Sequence, residues 1–466
     1  MKTSGTTFFA ILASFLLAVS APSSRELPPP PAAPKPFTLA TPRTFALDNG
    51  VSVTFVPFGT IPKVSITVAV EAGNFHEGAD TWLADVMGEL MKEGTATRTA
   101  KEVALAAADM GGEVAISVNP DQTLIGTDVL SEYAPDAIAL LADVLQNPRF
   151  PDSELPRIKQ NLLRSLSVGK ADPTALAQEG FLKLLFGDHP YGAVFATPEQ
   201  IRGYTVENAK RFYESNFGAR RTRIYVVGRF DQADVEKAIR QAFGGLREGP
   251  APTLDPPTMA AGFRAKLIDR PGSQQATIVL GLPSLTVADA DYVPFQVMHA
   301  LLAGAFSSRV TRNIREDKGY TYSPQATLTH RKGLAYWSEN ADITNAVTGA
   351  ALHEIFSEIR RLQDEAPPAD EVARTRNYLA GIFALQNGSR AGIIRQLAFL
   401  DLQGLNASFL NAYVGKVLAV TAPEVRAMAA KYLPLENFTL MVVGDLAAVG
   451  DQVRKLPELK GATAEP

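Results

Sequence analysis

The sequence predicts an α+β protein of two tandem homologous domains, each a largely antiparallel sheet with helices packed on one face. Three observations carry this: an internal repeat kept in register, strands that come in clusters, and one central proline-rich break. Thr205-Val-Glu-Asn-Ala-Lys-Arg-Phe-Tyr leads to Arg223-Ile-Tyr-Val-Val-Gly228. Thr421-Ala-Pro-Glu-Val-Arg-Ala-Met-Ala leads to Leu440-Met-Val-Val-Gly444. Each copy opens a helix at a threonine cap and ends a buried strand at Val-Val-Gly. The offset is 216 residues at both ends, and the helical stretches beginning at Leu155 and Glu371 keep it too. One register held across separate elements marks duplication of a unit of roughly 200 residues.

The elements follow in chain order. Lys2 precedes the apolar run Phe8 to Ala21, which has the length of a signal-peptide core and is short for a membrane span. Ala18 and Ser20 supply the small residues for cleavage after Ser20, so residues 1–20 read as a signal peptide. Residues 21–39 are too proline-rich for helix or sheet and read as a tether. The first domain spans 40–248, the break 249–262 is a linker, and the second domain spans 263–460. Lys63–Val70 and Gln275–Leu282 are rich in β-branched residues and read as strands. Asp136–Leu145 and Val347–Leu362 carry apolar residues at helical spacing. Because strands cluster instead of alternating strictly with helices, α+β is favoured over a doubly wound parallel sheet.

Composition narrows the function classes. A hydrophobic share of 46% with 20% charged residues belongs to a globular chain. A net charge of −4 with scattered basic residues leaves no nucleic-acid footprint. The chain has no cysteine, which removes disulfides, thiol catalysis and a lipid-anchor cysteine. A disulfide-free exported chain fits a bacterial periplasm, with no membrane association expected after signal cleavage.

The chemistry concentrates in two motifs. Trp82-Leu-Ala-Asp-Val-Met-Gly-Glu-Leu-Met-Lys-Glu-Gly-Thr95 has the outline of a helix built to hold a metal. A single-zinc hydrolase needs three protein ligands and an open position for water. Two histidines four residues apart on one helix face reach one ion, and a glutamate on that face deprotonates the bound water. The phrases Glu71-Ala-Gly-Asn, Lys92-Glu-Gly-Thr-Ala-Thr-Arg98, Asp188-His-Pro-Tyr-Gly192 and Ser307-Ser-Arg-Val-Thr-Arg-Asn-Ile-Arg-Glu-Asp-Lys-Gly-Tyr-Thr-Tyr-Ser323 resemble the pitrilysin/insulinase family of zinc peptidases. That family carries the inverted motif His-x-x-Glu-His. Counting back from Gly94-Thr95, its first histidine falls on Asp85, its glutamate on Gly88 and its second histidine on Glu89. The family's third ligand, a glutamate further along, falls near Ser165, in a stretch without any acidic residue.

Other residues make poor substitutes. Asp85 and Glu89 lie four apart, but two carboxylates without imidazole bind zinc weakly and suit harder cations. The structural alternative for them is a solvated pair on a helix surface. His76-Glu77-Gly-Ala-Asp80 imitates His-Glu-x-x-His but falls in a turn that Gly78 breaks. His189, His299, His330 and His353 are isolated, and His189 reads as a turn residue. No metal is therefore expected in this chain.

The second motif keeps Arg315 and Tyr322 seven apart around Lys318-Gly319. In the resembled family, an arginine and a tyrosine at this spacing face the zinc site from the second half of the fold. Guanidinium offers fixed donors to carbonyls, and a phenol can donate to an oxyanion. The structural alternative pairs Arg315 with Glu316 and buries Tyr322 in the core, with Tyr320 as a competing candidate. The resemblance implies half of a clam-shell chamber. It further implies a non-catalytic subunit that binds unfolded peptides and supplies Arg315 and Tyr322 to a homologous zinc-bearing partner. The competing function is a peptide-binding or scaffold protein with no role in proteolysis. A third reading is an autonomous enzyme using Asp85 and Glu89 with an unusual metal.

Overall fold

Two six-stranded sheets organise the chain in a computed structural model that describes residues 38–259, 262–459 and 463–464. The predicted signal peptide and nearly all of the tether lie outside the described residues. The first sheet holds β1 (Arg43–Ala46), β2 (Ser52–Pro57), β3 (Lys63–Val70), β4 (Ala115–Val118), β5 (Thr123–Leu130) and β6 (Thr222–Gly228) in the order β1-β2-β6-β3-β5-β4. The second holds β7 (Arg264–Asp269), β8 (Gln275–Ser284), β9 (Gln325–Arg331), β10 (Leu334–Thr344), β11 (Thr439–Gly444) and β12 (Thr463–Ala464) in the order β12-β7-β11-β8-β10-β9.

Five strands of each sheet repeat. β2-β6-β3-β5-β4 and β7-β11-β8-β10-β9 share one order, with one parallel pair (β2 with β6, β7 with β11) and antiparallel pairing elsewhere. The halves differ at the outer strand: β1 runs antiparallel to β2, whereas β12 runs parallel to β7. The threonines found in the sequence do cap helices. Thr205 accepts from Asn208 N–H at 3.3 Å, and Thr421 N–H donates to Glu424 at 2.7 Å in a capping box.

Alternation along the strands explains the layers. In β6, Ile224 and Val226 join the core under the first half's own helices, while Tyr225 and Val227 point to the opposite face. That second face receives the helix Arg390–Leu402 from the other half, where Tyr225 donates to Asp401 at 2.6 Å. The exchange is reciprocal. The helix Pro173–Phe186 from the first half packs Ala177 and Phe181 on Val279, Met441 and Val443 of the second sheet. Each half's own helices therefore take one face, as expected, and a borrowed helix takes part of the other. Two glycines permit the close approach. A Cβ at Gly281 would stand 2.8 Å from the Phe181 ring, and one at Gly180 would stand 2.7 Å from Met441.

The proline-rich break is not a free linker. Arg221 donates to Ala251 O at 3.0 and 3.1 Å, Lys332 to Thr253 O at 2.9 Å, and the His189 ring meets Asp255 O at 2.9 Å. Alternate carbonyls of an extended segment are thus pinned by both halves. Lys332 also pairs with the buried Glu71 of the first half. Among the described residues, no helix is long and apolar enough to cross a membrane.

Candidate functional site

The helix that matches the metal motif spans Leu83–Met91. Its start is set by Glu77, whose carboxyl accepts from Trp82 N–H and Ala84 N–H, both at 2.9 Å. This satisfies orphan donors at a helix N-terminus. Trp82 takes φ 69°, a left-handed conformation uncommon for a large side chain, and so the helix starts one residue later than the motif outline suggests. Glu77 closes a short turn of 3₁₀ helix, Asn74–Glu77, followed by Gly78 at φ 59°. His76 uses Nδ1 to accept from Gly73 N–H at 3.2 Å. The His76-Glu77-x-x-Asp80 stretch is thus a capping turn.

The motif positions have separate fates. Asp85 lines a small cavity of about 230 Å3 with Asn74, Phe75, Glu77, Trp82 and Tyr191. Asn74 Nδ2 donates to Asp85 at 2.7 Å and stands 3.4 Å from Glu77. Burial pushes the Glu77 carboxyl up to about 8 and raises that of Asp85. Asp85 is therefore no solvated surface carboxylate, which corrects half of the surface-pair expectation. Glu89 does fit it: the side chain is 41% exposed and pairs with Lys92 at 2.5 Å. Gly88 is packed shut, because a Cβ there would stand 2.6 Å from Val118 Cγ2 of β4.

Zinc does not fit these residues. Gly88 brings no carboxylate and its space belongs to Val118. Asp85 is engaged by Asn74 and Glu89 by Lys92. Ser165, nearest the third ligand position, is an exposed residue of the helix Leu155–Ala171. Beside it Leu162, Leu163 and Leu166 pack with Trp82 and Phe195 in a small apolar cluster. Among the described residues, no three His, Asp or Glu side chains gather as a metal site.

The second motif is built outward. Ser308 caps the turn that opens at Arg309, accepting from Thr311 N–H at 3.3 Å. Arg309 grips Glu371 through two bonds of 2.9 and 2.7 Å. Asn313 donates to Glu354 and Glu358, and Lys318 pairs with Glu354 at 2.9 Å. Gly319 turns the chain at φ 64°. These contacts fix Arg315 within a π-helical turn, Arg312–Asp317, and leave Tyr322 80% exposed just beyond it. Such turns frequently occur at functional sites.

The structure brings Arg315 and Tyr322 together, with the guanidinium 5.1 Å from the ring centre. The Arg315–Glu316 pair also forms, at 3.3 Å, so that alternative coexists with the contact. Burial of Tyr322 in the core is excluded by its exposure. Tyr320 instead packs against the core. Sequence reasoning missed Phe306, which is 69% exposed and lies with its ring centre 4.4 Å from the Arg315 guanidinium. Neither Arg315 nor Tyr322 lines the Asp85 cavity or the larger cleft of about 1110 Å3 between the first sheet and the borrowed helix. Ala115 and Ser117 of the edge strand β4 line that cleft, opposite Ile394, Ala398 and Phe399.

These features place the chain among two-domain peptidase-like folds with a dismantled metal helix. Residues 59–199 match the insulinase peptidase family M16, and residues 203–379 match the peptidase M16 inactive domain. The chain belongs to the M16 insulinase family, as a homologue of zinc peptidases that lacks their zinc motif. It is 23% identical over 421 residues to an uncharacterized zinc protease of Streptomyces coelicolor, covering 88% of this chain and 90% of that protein. It is 28% identical over 287 residues to one from Mycobacterium leprae, covering 60% and 64%. A solved peptidase M16 inactive domain from Pseudomonas fluorescens superposes with a TM-score of 0.81 at 23% identity, covering 88% of this chain and 99% of that one. A Helicobacter pylori protease superposes with a TM-score of 0.80 at 16% identity, covering 87% and 100%.

Proposed function

We propose that this chain is the non-catalytic, substrate-binding subunit of a heterodimeric zinc peptidase that degrades unfolded peptides. It supplies Arg315 and Tyr322 to a homologous partner carrying His-x-x-Glu-His, and the leader-like residues 1–20 support export to a bacterial periplasm. The observation that carries the reading is the asymmetry between the two half-sites. The metal helix is filled by Val118 and by the Asn74–Asp85 bond, while Arg315 and Tyr322 are held together and face outward.

The roles follow from the groups. The partner supplies the metal-activated water. Arg315 holds a peptide carbonyl through its guanidinium donors, and Tyr322 donates to the oxyanion that forms as the carbonyl is attacked. The open edge of β4, beside the cleft, suits an extended peptide that adds as a further strand. The test co-purifies the chain with a zinc-bearing homologue and follows cleavage of an unstructured peptide. Arg315→Ala combined with Tyr322→Phe is expected to lower kcat by on the order of 100-fold, the scale of a lost oxyanion donor. Unchanged cleavage by the variant complex defeats the assignment.

A further inference from the structure

We infer that Phe306 is a third member of the Arg315/Tyr322 site, a positioning residue that selects peptides bearing a large apolar or aromatic side chain beside the carbonyl held by Arg315. The inference rests on the proposed peptide-binding role of that pair and adds the class of peptide. Three observations carry it. The Arg315 guanidinium lies within cation–π range of two rings, 4.4 Å from Phe306 and 5.1 Å from Tyr322. Both rings are mostly exposed, at 69% and 80%, whereas the arginine side chain they contact is 23% exposed. Phe306 also follows closely on one π-helical turn, Ala300–Gly304, while Arg315 lies within a second, Arg312–Asp317.

The chemistry follows from which parts of Arg315 remain free. Two rings lie against the guanidinium, and Glu316 meets Nε at 3.3 Å. That contact uses Nε, and the two terminal nitrogens form a fork suited to a carbonyl or carboxylate oxygen. Cation–π contact with two rings restricts the rotation of a long side chain, so less entropy is lost when peptide binds. The exposed parts of the Phe306 and Tyr322 rings offer an apolar surface beside Arg315. A side chain next to the bound carbonyl meets this surface, and an aromatic or large aliphatic group gains the most from it.

The test measures binding of two fluorescein-labelled, unstructured 12-residue peptides by anisotropy, one with a central Phe and one with Ala at that position. The full-length mature chain is compared with Phe306→Ala, Phe306→Trp, Arg315→Ala and Tyr322→Phe, and circular dichroism confirms that each folds. The wild-type chain is expected to favour the Phe peptide by about tenfold, which is about 1.4 kcal/mol. Phe306→Ala is expected to erase that preference and weaken both peptides, and Phe306→Trp to restore both properties. If Arg315→Ala loses binding while Phe306→Ala behaves as wild type, the inference fails and the proposed function stands. If the wild-type chain binds neither peptide, or if Arg315→Ala and Tyr322→Phe leave binding unchanged, the proposed role of the site fails with it.

Discussion

Gly88 decides whether the metal site is merely mutated or structurally closed. In a helix interior, Gly→Ala alone is worth about 1 kcal/mol of stabilisation. Here the new Cβ would stand 2.6 Å from Val118 Cγ2, far inside ordinary contact. Overpacking of this kind costs about 1–3 kcal/mol. Gly88→Ala should therefore range from neutral to about 2 kcal/mol destabilising. Val118→Ala removes the obstructing methyl, so the double variant should recover the helix gain. The coupling between the two sites should reach about 1–3 kcal/mol, above the few tenths expected of independent positions. Chemical denaturation of the four proteins measures it. A Gly88→Ala variant that gains about 1 kcal/mol whether or not Val118 is present refutes the packing argument. The same logic bears on metal. Asp85→His/Gly88→Glu/Glu89→His should be destabilised and should hold no stoichiometric zinc, because the third ligand region around Ser165 has no acidic residue. One tightly held zinc per chain in elemental analysis of that variant would overturn the conclusion.

Two further predictions concern stability. Lys332→Met leaves buried Glu71 without its partner and frees Thr253 O, and should cost about 3 kcal/mol, with most of it recovered in Lys332→Met/Glu71→Gln. Equal denaturation midpoints for the single and double variants would contradict this. Glu339 of β10 is fully buried, and among the described residues neither of its oxygens has a hydrogen-bond partner. Burial raises its carboxyl well above the ordinary value, so folding favours the neutral form. Its contribution is complete below the unfolded-state pKa and is lost as pH rises toward the folded one. Relative to Glu339→Gln, wild type should lose about 1.4 kcal/mol per pH unit above roughly pH 4.5. Parallel stability–pH curves would show that Glu339 does not titrate in this way.

Local pattern carries much of the fold. The β-branched run Lys63–Val70 is a strand from end to end, and Gln275–Leu282 extends only to Ser284. The second of these runs shows little polar alternation, the trace of a strand covered on both faces, whereas the first alternates and turns Lys63, Ser65 and Thr67 to the cleft. What covers the second face is not legible, because the borrowed helix lies far away in sequence and its approach depends on Gly180 and Gly281 meeting Met441 and Phe181 in space. The proline-rich break looks like a linker because its own residues form no regular structure. Its order comes from Arg221, Lys332 and His189, which act from outside it. Asp85 looks solvated in the sequence because helical spacing says nothing about Asn74 and Tyr191, which wall it in. Phe306 gives no signal because one apolar residue in a turn usually packs inward, and only the tertiary structure reveals its exposure.

The two half-sites differ in how their residues are engaged, and that difference carries more weight than the missing histidines. At the metal helix, the space is taken: Val118 occupies the place above Gly88, and the third position, Ser165, is an exposed serine beside a leucine cluster. Regaining catalysis would require several packing changes at once, because no single substitution frees a ligand position. At the other half-site the trend is reversed. Arg309, Asn313, Lys318 and Gly319 commit their contacts to shaping the turns around Arg315, while two large rings are left to solvent. Burying such a ring is worth about 1.5–3 kcal/mol, a gain this fold takes fully at Phe55, Phe295 and Phe356 but forgoes at Phe306 and largely at Tyr322. A supported cation beside two uncovered rings is what the proposed peptide site needs, and the peptide-selectivity test decides whether Phe306 belongs to it with Arg315 and Tyr322.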